Sequence, residues 1–255
     1  TQYKNIMKYF IGNWKMFGIP GSYKILHKIN SFFNKDKKNN KNYKIIIAPP
    51  LTLLQNFSQK LKTGKIYISA QNCYHRDAYG SHTGQVSAFM LKKLGIKYII
   101  IGHSETRASG ETNDIIKEKV RIALKNNLKI IFCIGENMKQ KRKKQTMKIL
   151  KSQISKVVKN KFSFKNIIIA YEPIWSIGTG ITPSENELEK IIHNLKKFIK
   201  QKYRLNFSVR ILYGGSVDKY SVSGFKYINE LDGFLIGGAS KSSKKFIDII
   251  KNYYR

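Results

Sequence analysis

Ile167-Ile168-Ile169-Ala170-Tyr171-Glu172-Pro173-Ile174-Trp175-Ser176-Ile177-Gly178-Thr179-Gly180 is the stretch that decides how this chain is read. It begins as a continuous apolar run, which suits a parallel strand buried on both faces. Pro173 stops the strand, and the Gly-containing stretch after it is too irregular for helix or strand. Glu172 stands at the junction. A carboxylate at the end of a buried strand, followed by a flexible loop, is how a lidded general base is encoded. A strand-terminal Glu in a surface ion pair has the same local sequence, so its surroundings must decide.

Runs of the same kind recur on both sides of it. They are Tyr9 to Ile11, Ile45 to Ala48, Ile66 to Ile68, Tyr98 to Ile101, Ile130 to Ile134, Val209 to Tyr213 and Phe234 to Ile236. Between them lie stretches with helical spacing. The clearest has one apolar stripe, Leu188, Ile191, Ile192, Leu195, Phe198 and Ile199, with Lys and Glu opposite. Its start is predicted at Thr182 as cap, Pro183 at the first helical position and Glu185 completing a capping box. Eight strand–helix units in 255 residues predict a closed (β/α)8 barrel. No Pro/Ser-rich linker or change of composition divides the chain, so residues 1–255 are expected to form a single domain.

In such a barrel the chemistry sits on the loops that follow the strand C-termini. Asn13 and Lys15 follow the first strand, Gln71 the third, His103-Ser104-Glu105 the fourth, Glu136 the fifth and Glu172 the sixth. Gly214-Gly215-Ser216 follows the seventh and Gly237-Gly238 the eighth. Taken singly, Lys15 is a solvated charge, His103 a structural histidine and a Gly pair a tight turn. Two Gly pairs after the last two strands say more, because bare backbone N–H groups there can cradle phosphate. The set predicts a small phosphorylated substrate, with a Glu and a His available for proton transfer. His27, His75, His82 and His193 read as surface or structural.

The net charge of +33 invites a nucleic-acid partner. The lysines are spread along the chain, however, and interrupt predicted helices at solvent positions, as at Lys139, Lys141, Lys143, Lys144, Lys148 and Lys151. Asn, Ile and Tyr, which share A/T-rich codons with Lys, are also abundant. We read the charge as nucleotide bias and expect no specific nucleic-acid partner. No secretory apolar region opens the sequence, and its apolar runs are strand-length, so neither export nor a membrane span is expected. Cys73 and Cys133 lie in or beside apolar runs and read as reduced core residues of a cytoplasmic protein, not as a disulfide or metal site.

These residues, taken in order, resemble the triosephosphate isomerase family from end to end. The matching segments are Gly12-Asn13-Trp14-Lys15-Met16, Ala70-Gln71-Asn72, Thr83-Gly84, Ile101-Gly102-His103-Ser104-Glu105, Cys133-Ile134-Gly135-Glu136, Tyr171 to Gly180, Tyr213 to Val217 and Asp232 to Ser240. A pentose-phosphate epimerase or a lyase of the tryptophan pathway would share the phosphate loops but not the other motifs together. The resemblance implies isomerisation of dihydroxyacetone phosphate and D-glyceraldehyde 3-phosphate, in glycolysis and gluconeogenesis. In the pattern established for that family, Glu172 is the base, His103 the electrophile and Lys15 the cation at the developing enediolate. Asn13 orients the oxygens, and backbone N–H groups of Gly178, Ser216, Gly237 and Gly238 bind the phosphate. It further implies a homodimer, in which the loop bearing Thr83 supports Asn13 and Glu105 of the partner, and no metal or organic cofactor. The alternative is a weakened isomerase with a non-enzymatic, polyanion-binding role, although Lys15, His103 and Glu172 are all retained.

Three departures carry expectations of their own. Lys241 stands where the family commonly has a Leu that roofs the base. An ammonium there would lower the Glu172 pKa unless the side chain snorkels outward. Gln85 and Thr106 replace a Glu and an Arg matched near the dimer interface, and losing both strands no charge. Thr106 to Gly110 also looks one residue short, which leaves the match of Arg107 open. The rear of the lid reads Ile181-Thr182-Pro183 in place of Lys-Thr-Ala, and Pro183 is expected to stiffen its opening.

Overall fold

The computed structural model of the chain describes residues 7–61, 65–159 and 161–255. Among these, eight parallel strands close into a barrel in the order in which the chain makes them. They are β1 (Lys8–Asn13), β2 (Tyr43–Ala48), β3 (Tyr67–Ala70), β4 (Tyr98–Ile101), β5 (Lys129–Ile134), β6 (Ile167–Tyr171), β7 (Arg210–Tyr213) and β8 (Gly233–Ile236). Closure comes from β1 against β8, with Phe10 beside Phe234 and Ile11 beside Leu235. The described helices are α1 (Tyr23–Lys35), α2 (Leu54–Lys60), α3 (Ala88–Lys93), α4 (Ser104–Ala108), α5 (Asn113–Lys125), α6 (Met138–Arg142), α7 (Thr146–Val157), α8 (Glu185–Tyr203), α9 (Ser221–Phe225) and α10 (Ser243–Tyr254).

Alternate residues of each strand face opposite sides, and here both sides are dry. Tyr9, Ile11, Ile46, Ile100, Ile131, Ile168, Leu212 and Leu235 pack together inside the barrel. Phe10, Ile45, Ile47, Ile99, Ile130 and Phe132 point outward into a second cluster with the helices. Full burial of each such side chain contributes roughly 1.5–3 kcal/mol. That double burial explains why the strands read as unbroken apolar runs and not as alternating ones.

The start of α8 differs from the expected one. Its cap is Ser184, whose hydroxyl accepts from the Glu187 N–H at 3.2 Å. Ser184 has an extended backbone, ψ 157°, so the helical path cannot begin at Pro183 and Thr182 has no helix to cap. The buried face is otherwise the expected stripe, except that Phe198 is only half-buried while Tyr203 joins the core and donates to the Val158 carbonyl at 2.7 Å.

The ends of β5 and β6 are drawn together just before the site. The Glu172 N–H donates to the Ile134 carbonyl at 2.7 Å. A Cβ on Gly135 would lie 1.8 Å from the Glu172 carbonyl oxygen, and backbone cannot step aside as a side chain can. Gly135→Ala is expected to destabilise the fold by about 3 kcal/mol or more. Urea unfolding measures this, and a midpoint equal to wild type would contradict the packing described.

Candidate active site

The C-terminal ends of the strands surround a cleft of about 650 Å³. Asn13, Lys15, His103, Glu172, Gly178, Ser216, Gly237 and Gly238 all line it, with Leu235 of the barrel interior among them. His27, His75, His82 and His193 are not among its lining residues, and His193 sits in an exposed pair with Glu230.

Lys15 leaves β1 in a left-handed conformation, φ 56°, which a non-Gly residue keeps only if its surroundings hold it. Two hydrogen bonds to its backbone do so, one of them from a side chain that is itself anchored on β2. The Asn13 side-chain oxygen accepts from the Lys15 N–H at 3.0 Å. Gln71 Nε2 donates to the Lys15 carbonyl at 2.9 Å and to the Ala48 carbonyl at 2.8 Å. The ammonium then meets Glu105 Oε1 at 2.6 Å. Partial burial pushes the Glu105 pKa up, but the bond and charge of Lys15, with His103 and Lys241 beyond, outweigh it and hold the carboxyl below its ordinary value.

His103 caps α4 through its ring, whose Nδ1 accepts from the Glu105 N–H at 3.2 Å. A ring that accepts at Nδ1 carries its proton on Nε2 when neutral, and that edge faces the base. Nε2 lies 3.2 Å from Glu172 Oε1, both residues being buried. Burial lowers the His103 pKa, but the charge of Glu172 and the bond to it more than offset this, so the net shift is upward. Cys133, read from sequence as a plain core residue, abuts the same carboxylate. Burial first, then that charge, push its thiol well above the usual range, so it stands by as a neutral group.

Beyond Glu172 the chain makes one short turn, Ile174–Ser176, and then the open stretch in which Gly178 has φ 72°. The turn is anchored from behind. Glu136, fully buried, accepts from Trp175 Nε1 at 3.0 Å and from the Tyr171 hydroxyl at 3.2 Å. Lys141 of α6 places its ammonium 3.7 Å from the Trp175 ring centre while pairing with Glu187 of α8 at 2.7 Å. The far side of the stretch is tied to the β7 loop, where Ser216 Oγ accepts from the Gly180 N–H at 3.1 Å and donates to the Ser176 carbonyl at 2.6 Å.

The supporting residues fall around this cleft and not in it. Ser104 is half-buried in the first turn of α4, and Glu105 reaches Lys15 from there. Thr83 is exposed in the long connection between β3 and α3. Arg107 donates to the Gly102 and Cys133 carbonyls and to Asn113 Oδ1, bracing the ends of β4 and β5. Thr106 bonds the His103 carbonyl at 2.9 Å. Cys133 and Ser176 are side chains whose importance here the sequence did not signal, and Gln71, placed by the sequence after the third strand, carried no assigned role.

Lys241 does not roof the base. Its ammonium lies 5.5 Å from the Phe17 ring centre, it is not among the lining residues, and its charge is felt at Glu105. Lys241→Leu is therefore expected to raise the Glu105 pKa slightly and to leave the acid limb of turnover in place. A limb moved by about one unit would return the ammonium to Glu172.

A (β/α)8 barrel with a buried carboxylate and imidazole paired at its C-terminal mouth, beside a lysine and Gly-rich loops, defines an acid–base enzyme of the barrel class. The family model for triosephosphate isomerase matches residues 8–253. Triosephosphate isomerase of Alkaliphilus oremlandii is 36% identical over 244 residues, covering 94% of this chain and 96% of that protein. That of Yarrowia lipolytica is equally similar over 244 residues, with the same coverage. The Dictyoglomus turgidum enzyme is 36% identical over 253 residues, covering 96% of this chain and 99% of its own. The chain belongs to the triosephosphate isomerase family.

Proposed function

We propose a division of labour for the interconversion of dihydroxyacetone phosphate and D-glyceraldehyde 3-phosphate, the glycolytic isomerisation that this enzyme family carries out. Glu172 removes a proton from C1 of the ketose, the electron pair moves onto the carbonyl, and an enediolate forms. His103 donates from Nε2 to the C2 oxygen that gains charge and recovers a proton from the C1 hydroxyl, whose oxygen becomes the aldehyde carbonyl. Glu172 then delivers its proton to C2. Lys15 stabilises the negative oxygens, Asn13 orients them, and the buried site keeps these dipoles effective. The phosphate, with a charge of about −1.5 to −2, rests on N–H groups of Gly178, Ser216, Gly237 and Gly238.

The observation that carries this reading is the 3.2 Å approach of Glu172 Oε1 to His103 Nε2 at the wall of a cleft that Lys15 also lines. The substrate's own carbonyl acidifies the proton, so no metal or organic cofactor is invoked. A coupled isomerase assay on purified protein tests it, with turnover expected and its absence contradicting the proposal. The polyanion-binding alternative has no support, since the reactive groups are assembled and the basic residues are dispersed.

The same proposal covers the assembly and its setting. The described residues are read as one barrel domain. A homodimer is supported by Met16, 98% exposed immediately after Lys15, and by the exposed loop bearing Thr83, with the Glu105 side chain still 59% exposed beside the site. In the dimer the loop bearing Thr83 supports Asn13 and Glu105 of the partner. Sedimentation of the purified chain as a monomer would remove this part. No described helix is long and apolar enough to cross a membrane. A cytoplasmic location, with no membrane or specific nucleic-acid partner, accords with the buried free thiols of Cys73 and Cys133.

A further inference from the structure

We propose that Ser176 is the latch of the lid, a positioning residue whose single hydroxyl holds residues 176 to 181 down over the substrate. The inference rests on the reading of this segment as a lid over the phosphate. A serine hydroxyl has one proton to give and two lone pairs to fill. Here all three are used. Ser176 Oγ donates to the Ile181 carbonyl at 2.5 Å, closing the lid into a ring between its front and rear hinges. It accepts from the Ser216 N–H at 3.2 Å. The third contact is the Tyr213 hydroxyl at 2.9 Å, and because the serine proton is already engaged, Tyr213 donates. One fully buried side chain thus joins both hinges to Tyr213 at the end of β7 and to Ser216 in the loop that follows, beside the phosphate cradle.

Two further features fit a latch. The Ser176 carbonyl accepts from Ser216 Oγ at 2.6 Å, so Ser216 donates to Ser176 twice, once from its N–H and once from its hydroxyl. Gly215 is also kept bare by this pair. A Cβ on it would meet both the Tyr213 hydroxyl and Ser176 Oγ at less than a normal contact distance. Pro183, in the rear hinge, has no N–H with which to hold Tyr213. When the lid opens, Ser176 must release Tyr213 and Ser216 to water. Those two bonds therefore belong to the closed state, and losing them shifts the lid toward open without touching the reacting carbons.

The test uses full-length protein labelled with 5-fluorotryptophan, so that Trp175 reports the lid by fluorine NMR. The probe is 2-phosphoglycolate, a phosphorylated carboxylate with the charge of the enediolate. Ser176→Ala is expected to raise its Kd and lower kcat/KM by about tenfold each, the effect of roughly two hydrogen bonds made only on closing. Tyr213→Phe is expected to act in the same direction. The double variant should be less impaired than the two single losses multiplied together, because both remove one shared bond. Ser176→Ala binding within twofold of wild type, or a double variant whose losses simply multiply, overturns the latch. A wild-type Trp175 signal that does not move on adding the probe overturns the lid reading itself, and the latch with it.

Discussion

Glu172→Gln lowers kcat by about a thousandfold, the size expected when a general base is removed and its shape is kept. The carboxamide fills the same space beside His103 but cannot take a proton. The substitution has a second consequence, read at His103. In the wild type the carboxylate raises the imidazole pKa against the burial that lowers it. With that charge gone, burial and the Lys15 charge outweigh the weaker pull of Glu105, and the ring is expected to titrate below its ordinary value. The sign in stability follows. A folded pKa above the unfolded value, about 6.5, means that the His103–Glu172 contact stabilises the protein fully below that pH, and the contribution fades as pH rises through the folded pKa. In the variant the order reverses, and stability falls on acidification. Nitrogen–proton correlation spectra of the imidazole follow the titration directly. An unchanged His103 pKa in the variant would contradict the pairing.

Lys15→Met is expected to lower kcat/KM by about a hundred- to a thousandfold, as when a preorganised donor to a developing oxyanion is deleted. Methionine keeps most of the apolar stem, so the lost element is the ammonium. The loss should appear in both kcat and KM, because Lys15 faces the anionic substrate before the enediolate exists. It also leaves Glu105 without its 2.6 Å partner. Burial then acts less opposed on that carboxyl, and its pKa should rise from its depressed value. The wild-type pair stabilises the fold above the unfolded Glu pKa and is lost as pH falls through the folded one. A variant that retained full kcat/KM would exclude Lys15 from the chemistry.

The barrel was legible because strands buried on both faces leave unbroken apolar runs, and eight of them leave few other architectures. The positions of Lys15, His103, Glu172 and the Gly pairs followed from the rule that barrel chemistry stands after the strand ends. Direction was harder to read than position. Lys241 sits where the sequence places it, yet its flexible stem carries the ammonium to Phe17 and the field of Glu105, and no local pattern encodes that choice. The cap of α8 was misread because Thr182-Pro183 imitates a helix start, while Ser184 and Glu187 formed an equally good signal two residues on. Ser176 passed as one letter of the lid, since its value lies in Tyr213 and Ser216, some forty residues away. Gln71 and Cys133 are alike in this. Their partners, Lys15 and Ala48 for Gln71 and Glu172 for Cys133, stand at the ends of neighbouring strands and come close only when the sheet forms.

The account stands on Glu172 carrying the proton between adjacent carbons, and deuterium exchange reads that step most directly. Dihydroxyacetone phosphate incubated with the enzyme in D₂O should exchange at C1 and yield glyceraldehyde 3-phosphate labelled at C2, both visible by proton NMR. Glu172→Gln, at equal concentration and still folded, should slow incorporation by about the same thousandfold as turnover. Incorporation at the wild-type rate in that variant would show that another group moves the proton, and would contradict the assignment of the base.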